Sequence, residues 1–289
     1  MWYHPHAMGR VVVAGSVNVD LVARTERHPQ AGETVSATSL DTLPGGKGAN
    51  QALAAARAGA TTLMIGCVGD DVFGPDMREN LRREGVEAAG LRTQTGATTG
   101  TALVVVDRNG ENRIVVVPGA LEHLSPAHVD GFSHRIAAAD VLVVQLEIPL
   151  WTALYALEVG TAAGVRTILN PAPAPAEPIA PICDYVTPNE SEAAMVAGAR
   201  ATVVRTLGED GAEIAGERIA PFPAQVVDTT GAGDAFTAAF AVALAEGRDV
   251  KEAARWGCAA GAHMVEHPGV VPGLPTRDEL ERRLASLPV

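Results

Sequence analysis

The sequence predicts an α/β fold: one mostly parallel central sheet with helices on both faces, and a small β-sheet lid beside it. Three observations carry this. Short β-branched runs alternate with Ala-rich helical stretches along most of the chain, the order that builds a parallel sheet covered on both faces. Two segments, residues 20–43 and 99–117, break the alternation. The length, 289 residues, suits either two domains or one large α/β unit, and we read residues 10–289 as a single domain.

The first strand runs from Arg10 to Ala14 and the first helix from Gly48 to Ala58. Strands follow at 62–68, 102–106, 113–117, 141–146, 167–169, 185–187 and 202–206, where β-branched residues cluster. Helices are predicted at 75–84, 150–163, 190–197, 232–245, 250–265 and 277–287. In the two irregular segments consecutive strands flank turn residues such as Asp107, Asn109 and Gly110. Such strands do not easily extend a buried parallel sheet, so both segments are assigned to the lid. The Pro- and Ala-rich stretch 170–181 reads as a stiff surface connection.

Composition narrows the function. Lys plus Arg number 22 against 34 Asp plus Glu, a formal net charge of −12, which argues against nucleic acid or an anionic lipid surface as partner. Cys67, Cys183 and Cys258 are widely spaced and odd in number, fitting neither a disulfide framework nor a zinc site. The most apolar long stretch, 141–157, is interrupted by Gln145, Glu147 and Pro149 and is no membrane span. Residues 1–9 lack a signal-peptide core and contain a second Met at Met8, so they read as an extension and the protein as cytoplasmic.

The segment 226–236, with Asp228, Thr229, Thr230, Gly231, Ala232, Gly233 and Asp234, is the strongest candidate for chemistry. Small residues at a helix start let N–H groups approach an anion. A carboxylate there opposes an anion unless it takes a proton from an attacking hydroxyl, the role open to Asp234. Taken alone, the segment is equally an Asp in the first turn after a Gly turn. It matches neither the Walker-type phosphate loop nor the dinucleotide fingerprint.

A second cluster, Gly45, Gly46, Lys47, Gly48, Ala49 and Asn50, opens the first helix and offers donors to a polyhydroxylated or anionic ligand. Asn18 and Asp20 share a face beyond the first strand, on the side where open parallel sheets bind ligands. Glu147 follows a later strand in the same way. Asn189 and Glu192, three apart at a helix start, could hold hydrated Mg2+, or simply cap the helix. The stretch 206–211, with Gly208 and Gly211, could wrap a nucleotide or form a hairpin.

Together these segments resemble the ribokinase family of carbohydrate kinases, also called the PfkB family, from about Val11 to Pro275. Residues 45–50 are similar to its N-terminal signature and 228–234 to its C-terminal one. The resemblance implies that Asp234 is the base and that the amides of Gly231, Ala232 and Gly233 form an anion hole. It implies that Asn18, Asp20, Gly46, Lys47, Asn50 and Glu147 hold sugar hydroxyls. By the same resemblance Asn189, Thr206, Gly208 and Gly211 contact ATP, and Glu192 lies near Mg2+, through water. A potassium ion at Asp228, Thr230, Gly269 and Gly273 is implied as activator.

The segments 15–20, 66–71 and 145–147 are most similar to members acting on ribose, and the expected reaction is ATP-dependent phosphorylation of D-ribose at its 5-hydroxyl. Another sugar or a nucleoside is the alternative within the family; a non-catalytic sugar-binding regulator is the alternative outside it. A homodimer through the lid is expected, because apolar lid strands need covering. Three features depart from the family pattern: a direct passage from Gly198 to Thr202 where relatives insert a helix, Cys258 where His is common, and Leu121 where Asn is common.

Overall fold

The computed structural model describes residues 8–287; most of the segment read as an N-terminal extension, residues 1–7, lies outside the described residues. The strands in chain order are β1 (Arg10–Ala14), β2 (Asn18–Thr25), β3 (Ala37–Gly45), β4 (Thr61–Gly69), β5 (Glu87–Gln94), β6 (Gly100–Val106) and β7 (Asn112–Val117). They continue with β8 (Val141–Gln145), β9 (Arg166–Asn170), β10 (Ile182–Val186), β11 (Arg200–Thr206), β12 (Ala212–Ile214) and β13 (Glu217–Ile219). The helices are α1 (Lys47–Arg57), α2 (Phe73–Arg83), α3 (Pro126–Asp130), α4 (Ser133–Ala137), α5 (Leu150–Ala162), α6 (Glu190–Ala193), α7 (Ala232–Ala245), α8 (Val250–Met264), α9 (Val270–Gly273) and α10 (Arg277–Ser286).

Nine strands form the main sheet in the order β13-β12-β11-β10-β9-β8-β1-β4-β5, and β3-β2-β6-β7 form a separate small sheet. The main sheet is parallel from β5 to β11; only the β11–β12 and β12–β13 pairings are antiparallel. Alternation along the central strands splits the core in two. Val11, Val13, Val141 and Val143 pack toward α1, α7 and α8, while Val12, Ala14, Leu142 and Val144 pack toward α5. This two-sided burial makes the strands continuously apolar rather than alternating with polar residues.

The helices end where local chemistry dictates. The Asp249 carboxylate accepts the N–H groups of Lys251 and Glu252 at the start of α8, and Thr276 with Glu279 forms a capping box on α10. Asp71 accepts the N–H groups of Phe73 and Gly74 in the first turn of α2, and the backbone N–H and hydroxyl of Thr99. Burial pushes its carboxyl up, but these bonds outweigh that and hold it below the usual carboxylate range.

Several local readings change. The helix expected over 190–197 is one α-helical turn followed by a 3-10 turn at Ala194–Val196, after which β11 begins at Arg200. Strand β5 was hidden because Ala, Gly and Gln have little β preference; pairing with the buried β4 imposes it. Residues 269–273 contain the single-turn helix α9. All three cysteines are free and buried, and burial pushes the thiols of Cys183 and Cys258 up to about 12. Among the described residues no helix is long and apolar enough to cross a membrane.

Candidate active site

The strand order reverses direction at β1, which lies between β4 and β8, and an open parallel sheet opens a crevice at such a switch point, beyond its carboxyl ends. The chain leaves β1 through Gly15–Val17 into β2 and returns through β3 to α1. Glu147, just past β8, reaches across: one of its oxygens, Oε2, accepts the Ser16 hydroxyl at 2.5 Å and the Lys47 backbone N–H at 2.9 Å. Gly46, the N-cap of α1, has φ 92°, and a Cβ there would lie 2.9 Å from the Asn18 nitrogen. Only glycine allows β2 and α1 to approach so closely.

Asn18 and Asp20 lie on one face of β2, as alternation requires, opposite Gly45 and Leu43 of β3. Among the described residues, no cation bears on Asp20. Burial first, then the nearby Glu147 charge, raise its pKa to about 6. Among the described residues, the buried side-chain oxygens of Asn18 and Asn50 have no hydrogen-bond partner. Lys47 sits amid acids: burial pushes its ammonium down, but Asp234, Glu147 and Glu192 overcome this and raise its pKa.

Helix α7 begins after Gly231, which occupies the left-handed region with φ 80°. Asp234, in its first turn, is 5% exposed, so its carboxylate is shielded from bulk water. Oδ2 accepts the Asn50 amide at 3.0 Å and Oδ1 the Gln51 amide at 2.9 Å. Burial raises the pKa of this carboxyl, opposed by the Lys47 charge and by the two amide donors. The first N–H groups of α7 have no intrahelical acceptor. Of the three small residues, Ala232 is turned aside, its N–H reaching the Thr229 carbonyl at 3.3 Å.

Beside this helix start lies a cleft of about 730 Å3 lined by Thr206, Gly208, Gly211, Phe222, Ala232, Gly233, Phe236 and Cys258 among others. The structure thus gathers three of the four expected nucleotide positions with two of the anion-hole residues. Asn189 is not in that lining. Its side-chain oxygen accepts the Glu192 N–H and the Ser191 hydroxyl, and Glu192 Oε2 accepts the Asn189 N–H, a reciprocal capping box that commits both residues to the start of α6. Glu192 is nonetheless buried and close enough to Lys47 and Asp234 to feel both charges; burial first, opposed by Asn189 and Lys47, raises its pKa.

Asp228 ties two loops together. Its Oδ1 accepts the Thr230 N–H at 2.9 Å and its Oδ2 the Gly269 N–H at 3.0 Å. Burial raises its pKa, but these bonds outweigh that and lower it overall. Gly273 is packed against Met264 at the far end of α9.

The sequence reading gave no site role to Gln51, Gln145 or Asn170. All three are buried and bonded beneath Asp234. The available signal was a pair of amides, Gln51 in the first helix and Gln145 at the end of an apolar strand, at positions that periodicity assigns to the core.

A family model described as pfkB family carbohydrate kinase matches residues 8–277. The chain is 41% identical to a ribokinase of Bacillus subtilis, over 96% of this chain and 100% of that protein. It is 35% identical to a ribokinase of Schizosaccharomyces pombe, over 95% and 97% of the two chains. The solved structure of Arabidopsis thaliana ribokinase complexed with ribose and ATP superposes with a TM-score of 0.85 at 32% identity, covering 96% of this chain and 99% of that one. With matches this long and a crevice carrying both signature segments, this chain belongs to the pfkB family of carbohydrate kinases.

Proposed function

We infer that the chain transfers the γ-phosphoryl group of ATP to the 5-hydroxyl of D-ribose, giving ribose 5-phosphate and ADP. The observation that carries the mechanism is Asp234: a buried carboxylate in the first turn of a helix, held by amide donors on both oxygens and lying beside a cleft that reaches Gly233. Asp234 accepts the hydroxyl proton while the sugar oxygen bonds to the γ-phosphorus and the bond to the bridging oxygen of ADP breaks. The N–H groups of Gly231 and Gly233 face the charge on the transferring group.

Asn18, Asp20, Gly46, Lys47, Asn50 and Glu147 hold the sugar. The amide oxygens of Asn18 and Asn50, lacking protein donors, are acceptors suited to sugar hydroxyls. None of the six is aromatic, so no platform for a nucleoside base is among them. The apolar cleft with Phe222, Phe236 and Cys258 takes the adenine, with Thr206, Gly208 and Gly211 along its edge and Asn189 beyond it.

Glu192, with one carboxylate oxygen committed to Asn189, has the other for water on Mg2+, which neutralises the phosphates when bound. Asp228, which accepts the Thr230 and Gly269 N–H groups, would with Thr230, Gly269 and Gly273 supply oxygens to a potassium ion. When bound, that ion adds positive field beside the anion hole.

The deciding measurement is ADP release with ribose, fructose, adenosine or no sugar present. Ribose gives the highest kcat/KM, and Asp234→Asn lowers kcat about 100-fold or more while ribose and ATP still bind. Adenosine outperforming ribose, or near wild-type turnover by Asp234→Asn, contradicts the reading.

A further inference from the structure

Beneath Asp234 runs a line of buried amides contributed by three elements, β8, α1 and β9. Gln145, at the end of β8, donates from Nε2 to Gln51 Oε1 at 2.6 Å. Gln51, on α1, uses both protons of its Nε2, one to Asp234 Oδ1 at 2.9 Å and one to Asn170 Oδ1 at 3.0 Å. Asn170, at the end of β9, donates to the Thr187 carbonyl at 3.1 Å. Gln51 and Gln145 are both 0% exposed, shut off from bulk solvent.

The Thr187 carbonyl is a backbone acceptor and cannot exchange roles. It turns the Asn170 amide nitrogen toward itself and leaves the Asn170 oxygen facing Gln51. Gln51 must then present its nitrogen to Asn170 and Asp234, and its oxygen to the Gln145 donor. The reverse orientation would set its oxygen against two acceptors and its nitrogen against a donor, leaving buried groups unpaired. Space for Gln145 is itself arranged: a Cβ on Gly15 would overlap Gln145 Oε1 at 1.8 Å.

We propose that Gln51, oriented by Asn170 and backed by the Gln145 donor, is a positioning residue that holds the Asp234 carboxylate by Oδ1 in its ionised, proton-accepting form, an inference that rests on Asp234 being the base. A neutral amide donor favours the charged carboxylate without supplying a cation that would quench its basicity. Asn50 holds the other oxygen from the same helix. The charges that bear on Asp234 are Lys47 of α1, Glu147 beyond β8 and Glu192 of α6, and the substitutions below leave all three in place.

The experiment measures kcat across pH, with ribose affinity by calorimetry, for Gln51→Met, Gln145→Met and the double variant. Gln51→Met moves the acid limb of the kcat profile up by about 1–2 pH units and lowers kcat at neutral pH about 10-fold or more, with partial recovery at high pH. Ribose affinity stays within about 3-fold, since no sugar-holding residue changes. Gln145→Met shifts the limb in the same direction, and the double variant shifts it no further than Gln51→Met, because Gln145 acts through Gln51.

An unmoved acid limb in either folded single variant, or fully additive shifts, overturns the proposal. If Gln51→Met does not fold, Gln145→Met alone decides by the same criterion. Asp234→Asn separates the two levels: near wild-type turnover there removes the base itself. An inactive Asp234→Asn together with an unmoved limb in Gln51→Met removes only the role of Gln51.

Discussion

Asp20, which we propose binds the sugar, shows how burying a carboxyl costs stability. Its pKa of about 6 lies above the ordinary 3.8, through burial and then the Glu147 charge. A raised carboxyl pKa means that the folded chain binds the proton more tightly than the unfolded chain. Its contribution is therefore complete below about pH 4 and is lost as pH rises through 6. Asp20→Asn removes this penalty, so the sugar-free variant melts a few degrees above the parent at pH 8, the gain being at most about 3 kcal/mol. The gain shrinks toward pH 4. The same substitution abolishes detectable ribose binding, because sugar hydroxyls lose their acceptor. In the parent chain, ribose affinity falls as pH drops below 6. Thermal melts and calorimetry across pH 4–8 check both effects; unchanged ribose affinity in Asp20→Asn would place the sugar elsewhere.

At the scale of elements, the start of α7 is joined to α9 through the Asp228 carboxylate. The N–H groups of Val227 and Asp228 also reach the Val265 carbonyl at the end of α8, at 2.7 and 3.1 Å. The loop ahead of α7 is thus tied to the end of α8 and the start of α9. We expect that replacing potassium with a bulky organic cation, at constant ionic strength, lowers kcat about 10-fold or more and changes the KM for ribose much less. Asp228→Ala should lose most of that dependence as well as rate. Equal kcat in the two cations would leave 269–273 as a turn between helices with no ion to hold.

For the whole molecule, the question is what covers the small sheet. Every residue of β7 is exposed, and β7 is an edge strand with unpaired backbone groups on one side. Register places Leu43, Ile114 and Val116 on the face that carries Asp20, and Leu40, Leu103, Val115 and Val117 on the other; all seven are large and exposed. We propose that this sheet is a lid over the sugar and that a second copy of the chain covers it, forming a homodimer. Light scattering should give twice the chain mass, and the paired substitution Val115→Asp with Val116→Asp should give a monomer. A parent chain that is monomeric at all concentrations would defeat this assignment.

The alternation of β-branched and Ala-rich runs was enough to place most strands of the main sheet and its long helices, because period and propensity act over a few residues. Helix 232–245 appears with the expected bounds. The two signature segments, 45–50 and 228–234, carried the family resemblance, since each is a short contiguous pattern of small residues around Lys47 or Asp234. Tertiary structure decided the rest. Strand β5 exists through pairing with β4 against its own preferences. Which partners Asn189 and Glu192 take was also decided there: the two bond reciprocally at the start of α6. Gln51 meets Gln145, Asn170 and Asp234 across 94, 119 and 183 residues of chain. Which buried amides face one another depends on which strands end side by side, and no short-range pattern encodes that order.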